Sequence, residues 1–184
     1  MVVEPPSAGE TLVLDVETQR ISDEVGGWSH IRDMKLAVAV VQCVETTQCT
    51  AYLEADVERL VERLACARLV VGFNLMRFDY EVLLAYTHHP LRSLPTVDIM
   101  LHLTAKLGFR PSLADVAMGT LRAGKSADGV QSVRWFRQGL IDRVIAYCQE
   151  DVRLTAEIYA FGRAHGHVLV QDRYSGRRRV PVRW

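Results

Sequence analysis

The chain has 184 residues, 49% of them hydrophobic, enough for one domain with a core of ordinary size and no need of disulfides or a structural metal. Lysine plus arginine and aspartate plus glutamate number 22 each, which excludes the strongly basic balance of a protein that holds nucleic acid mainly by attraction to phosphates. Cys43, Cys49, Cys66 and Cys148 form no C-x-x-C pair and lie in apolar segments, as buried free thiols do. Residues 1–10 lack a basic start and an apolar h-region and read as a flexible N-terminus. No run reaches the ~18 apolar residues of a membrane span, so the expected location is the cytoplasm.

Taken in chain order, TLVLDVET (11–18) reads as a strand with Leu12, Leu14 and Val16 on one side and Val13, Asp15 and Glu17 on the other. A polar loop is expected from Gln19 to Asp33, then strands over 35–44 and 47–53, giving an antiparallel three-strand meander. Val57, Leu60, Val61, Leu64 and Ala65 recur at helical intervals in 55–67, and RLVVGF reads as a buried strand. Helices are expected over Met76–Tyr86, Ile99–Leu107 and Leu113–Thr120, with a turn region from His88 to Pro95. Leu121 to Gln138 has three polar or glycine breaks and reads as a long loop with one turn of helix. Apolar residues at three- and four-residue steps make 140–162 one long helix, and two short strands about a turn at Tyr174 to Gly176 follow. The domain therefore spans 11–165, with a basic hairpin at 166–184 packed on it.

Asp15 and Glu17, two apart on a strand, project from one side, although a D-x-E on a half-exposed strand is usually a solvated face. Tyr147 and Asp151, four apart on the long helix, share a face with Val144 and Thr155, which by itself describes an ordinary helix-surface pair. Asp79 lies early in a helix, where a carboxylate is also favoured as a first-turn charge.

The order of the three segments carries more than any one of them. LVLDVETQ, VGFNLMRFDY and YCQED resemble the three motifs of the DEDD exonucleases with the ribonuclease H-like fold, in the branch marked by a tyrosine. The resemblance covers roughly 11–162 and is nearest to stand-alone or helicase-associated bacterial nucleases and to family B polymerase proofreading domains. It implies an α/β fold with a mixed central sheet, an antiparallel meander followed by parallel strands, flanked by helices. The implied activity is 3′–5′ exonuclease cleavage of single-stranded nucleic acid, DNA favoured over RNA, with a replication, repair or helicase partner. The implied cofactors are two divalent cations, Mg²⁺ or Mn²⁺, which suit oxygen ligands, and no zinc-type Cys/His spacing is present. By the family's pattern Asp15 bridges both ions, Glu17 and Asp151 complete the site of the nucleophilic water, and Asp79 holds the second ion through water. Tyr147 positions that water, since a phenol with a pKa near ~10 is a poor base.

Substrate contacts are expected from Thr18 and Gln19 at the strand end, or these simply end the strand; from Asn74; and from Phe78, which either fills the core, the favoured reading, or stacks on a terminal base. Trp28 and Lys125 are candidates for stacking and phosphate contact. AGKS lacks the spacing of a phosphate-binding P-loop, and the loop carrying Lys125 is as readily a structural turn. Arg173, Arg177, Arg178, Arg179 and Arg183 either guide a strand, dock a partner or form a solvated charge run. His88, His89, His165 and His167 read as surface residues. The competing readings are an exoribonuclease of the same family and a catalytically silent adaptor with the same fold.

Overall fold

A computed structural model describes residues 9–124, 129–172 and 176–184. Lys125, Arg173, the tip of the hairpin and the N-terminal stretch up to residue 8 lie outside the described residues.

Five strands form one sheet in the order β3-β2-β1-β4-β5. β1 (Thr11–Thr18), β2 (Leu36–Cys43) and β3 (Cys49–Leu53) make the expected antiparallel meander. β4 (Leu69–Gly72) then joins β1 in parallel, and β5 (Thr96–Asp98) joins β4 in parallel. This is the mixed sheet that the motif resemblance implies.

The period-2 pattern of β1 separates two cores. Leu12, Leu14 and Val16 pack with Leu60, Val61 and Leu64 of α1 (Val57–Ala65) and with Tyr80, Val82 and Leu83 of α2 (Asp79–Leu83). Val13 faces the opposite layer, with Val144, Cys148 and Val152 of α6 (Ile141–His165) and parts of α3 (Ile99–Leu107) and α4 (Leu113–Leu121). Asp15 and Glu17 point with Val13 and therefore toward α6. The antiparallel pair β6 (His167–Asp172) and β7 (Gly176–Pro181) adds Val168, Val170 and Val180 to that second core. Gly119 lets α4 lie directly on β6, since a Cβ there would come within 2.7 Å of the Leu169 carbonyl carbon and 2.8 Å of the Gln171 amide nitrogen.

Locally the structure departs from the sequence expectations in several places. The helix expected at 76–86 is only Asp79–Leu83, because Asn74 to Phe78 forms a turn in which Asn74 takes φ +80° and the Asp98 carboxylate accepts from the Asn74 and Met76 amides. β5, three residues between Pro95 and α3, does not stand out in the sequence at all. The stretch read as a long loop contains α5 (Gly129–Arg137), which buries Ser132 and Val133 and packs against α6 and β1. The 19–33 segment is wound into two 3-10 stretches, Ser22–Glu24 and Trp28–Met34. Of the cysteines, Cys43 and Cys148 are buried as expected, whereas Cys49 and Cys66 are exposed.

Candidate active site

Strand β1 and helix α6 build the centre of the site. The carboxylates of Asp15, Glu17 and Asp151 each offer an oxygen, and these oxygens lie within 4.8 Å of one another. Glu17 and Asp151 are buried and Asp15 is half-buried, so the cluster sits inside the molecule rather than on a solvated face. Three carboxylates so close repel one another unless a cation lies among them or protons are taken up. An all-oxygen, multiply charged donor set fits a hard divalent ion, which is what Mg²⁺ and Mn²⁺ are.

Asp79 approaches from the other side of β1. It is the first residue of α2 and is buried, and its Oδ1 accepts a hydrogen bond from the Val16 amide at 3.0 Å. That amide is available because the parallel register of β1 with β4 runs only from Thr11 to Val13. The carboxylate thus completes the hydrogen bonding of β1, and it falls outside the group of three oxygens. Burial first, and then the Asp15 charge, push Asp79 well above the usual carboxylate range.

Tyr147 and Asp151 lie on the inward face of α6, both buried. The Tyr147 ring meets the edge of Trp135 on α5, with centroids 6.2 Å apart and planes at 67°. Helix α5, longer than the single turn expected in this stretch, therefore braces the tyrosine. One salt bridge joins α5 to the first 3-10 stretch: Arg137 Nη2 lies 2.6 Å from Glu24 Oε1, and this bond holds the Glu24 carboxyl below its ordinary range.

Cys148 is a neighbour the sequence reading passed over. Its Sγ lies 3.3 Å from both the Asp15 carbonyl oxygen and Asp15 Oδ2, so the thiol donates to the strand that carries the first carboxylate. Burial and the surrounding carboxylates, Asp15 foremost, push that thiol far up, so it stays protonated and remains a donor. Asp98 was also missed. Besides fixing the Asn74 turn it caps α3 by accepting from the Leu101 amide at 3.1 Å. Its signal in the sequence was an aspartate directly before an apolar helical run.

The expected substrate contacts separate. Thr18 is buried and its hydroxyl donates to the Arg20 carbonyl, and Gln19 spends its side-chain amide on the Leu36 carbonyl and Glu54 Oε2, both at 2.8 Å. Both side chains thus have hydrogen-bond partners within the fold. Phe78 is half-buried: it packs against the core shared by β1, α1 and α2, as the favoured reading had it, and sets its ring beside Trp28. Asn74, Phe78 and Trp28 line one open cleft, joined there by Arg77 and Arg110. Arg77 lies inside the second motif, whereas nothing in the local sequence singles out Arg110.

The family model of the RNase H superfamily matches residues 12–161, from β1 to near the end of α6. The chain belongs to the RNase H superfamily. No curated protein matches the sequence. Superfamily membership points to nuclease-type chemistry on nucleic acid with divalent metal ions, and the buried acidic cluster lies inside the matched span. Among the described residues no helix is long and apolar enough to cross a membrane.

Proposed function

We propose that this RNase H superfamily protein is a 3′–5′ exonuclease of the tyrosine-marked DEDD type, acting on single-stranded nucleic acid, DNA in preference to RNA. The observation that carries the reading is the meeting of Asp15, Glu17 and Asp151 within 4.8 Å, with Tyr147 one helical turn before Asp151 and Asp79 on the far side of the same strand.

Asp15, Glu17 and Asp151 are the residues that would hold divalent ions, with Asp79 completing the set from α2. Two such ions, Mg²⁺ or Mn²⁺, supply a water that is nucleophilic near neutral pH and compensate charge on the leaving 3′ oxygen. Tyr147, held by Trp135, orients the attacking water through its phenol. Cys148 donates to Asp15 and limits the freedom of that carboxylate. Asn74 and Phe78 face the cleft from which the 3′ end of the strand approaches.

Incubation with Mn²⁺ and 5′-labelled single-stranded DNA or RNA tests this directly. The expected result is a descending ladder that Asp15→Ala abolishes and that a 3′-phosphate block suppresses. Absence of cleavage on both polymers would instead favour a silent adaptor with the same fold, and a ladder on RNA alone an exoribonuclease.

A further inference from the structure

The cleft beside α2 encloses about 970 Å³ and is lined on one side by the 28–33 segment and on the other by Asn74, Arg77, Phe78 and Arg110. Two features set it apart from an ordinary surface groove. The first is Trp28, 68% exposed, whose ring stands edge-on to Phe78 with centroids 6.2 Å apart. Gly26 and Gly27, at φ +90° and +105°, turn the chain so that Trp28 is presented there. A tryptophan left this open offers a stacking face that the fold itself does not use.

The second feature is charge. Four arginines, Arg32, Arg77, Arg92 and Arg110, line the cleft against two carboxylates, Glu81 and Asp33, an excess of positive charge in a chain whose charges otherwise balance. Glu81 takes Arg32 at 3.2 Å and Arg92 at 2.6 Å, which fixes those two. Arg110 donates to the neutral Asn74 Oδ1 at 3.1 Å, and Arg77 has no acidic partner among the described residues. Both keep their charge for an outside anion.

We propose that this cleft anchors a single-stranded polynucleotide without help from metal, with a base stacked on Trp28 beside Phe78 and backbone phosphates on Arg77 and Arg110. The proposal rests on the nuclease reading and adds to it a second point of attachment. Stacking requires a base face that a duplex keeps covered, and an arginine pair beside an aromatic is the combination that grips single strands regardless of sequence. Arg77 and Phe78 directly precede Asp79 in the chain, which ties this anchor to the start of α2, the element that would complete the acidic set.

Titration of the full chain with a fluorescein-labelled oligothymidylate in EDTA, read by anisotropy and by tryptophan quenching, tests it. Binding is expected together with quenching, and Trp28→Leu should remove that quenching and weaken binding about tenfold. Arg77→Gln and Arg110→Gln should each weaken binding and lower the slope of log K against log salt by ~0.7. Both arginines are exposed, so their variants should melt with the parent, which separates a lost contact from a lost fold. No binding in EDTA, or binding untouched by the two arginine variants, overturns the proposal. Asp15→Ala should bind at least as tightly as the parent. Binding in EDTA without any ladder in Mn²⁺ therefore sinks the exonuclease reading alone, whereas a ladder without binding in EDTA sinks this one alone.

Discussion

Asp79 shows how a single side chain can belong to both the fold and the chemistry. Its Oδ1 accepts from the Val16 amide, while burial and the nearby Asp15 charge disfavour its ionised form. A carboxyl whose folded pKa lies above its unfolded value of ~3.9 binds its proton more tightly when folded. Its contribution is thus fully favourable below ~3.9 and is lost as pH rises through the elevated folded pKa. The metal-free protein should therefore melt lower at pH 7.5 than at pH 5. Asp79→Asn keeps an acceptor for Val16 and removes the ionisation, so it should raise the neutral-pH melting temperature in EDTA and shrink the pH difference; calorimetry at the two pH values checks this, and an unchanged difference would sink the account. Asp79 was legible in the sequence only through the motif, since the partner that explains its position lies 63 residues away.

At the level of elements, β1 and α6 could be read from periodicity because one face of each is apolar over many residues: Leu12, Leu14 and Val16 on the strand, Val144, Cys148, Val152 and Ile158 on the helix. β5 could not, because three residues after Pro95 carry no period. Helix α5 escaped because tertiary contact with α6 and β1 fixes it, and its buried residues are only Ser132 and Val133. The pairing of Trp28 with Phe78 spans two elements and leaves no local trace in either. Asp98 at the end of β5 is where these unread parts meet the site, because it accepts from the amides of Asn74, Met76 and Leu101. Asp98→Ala removes the acceptor of three part-buried amides and should cost about 2 kcal/mol, the scale of a lost helix cap plus lost hydrogen bonds. Urea unfolding measures the loss. An Asp98→Ala protein as stable as the parent would mean that the Asn74 turn is held by something else.

Across the whole molecule, the sheet changes character at β1, antiparallel to β2 on one side and parallel to β4 on the other. The acidic residues gather where the parallel ladder stops. A cluster of carboxylates in a buried place opposes folding until cations arrive, so Mn²⁺ or Mg²⁺ should stabilise the chain by about 2.7 kcal/mol at a hundred times its dissociation constant. A melting temperature unchanged in saturating Mn²⁺ would count against an assembled ion site, and Asp15→Ala should show a much smaller rise than the parent. The early end of the β1–β4 ladder also leaves the Val16 amide held by a carboxylate instead of a peptide carbonyl. Its proton should therefore respond to the ionisation of Asp79 and to ion loading, while the ladder amides of β1 around it stay still. In a ¹⁵N-labelled sample that one cross-peak becomes a resident reporter, reading the state of the site from inside the sheet without any substrate.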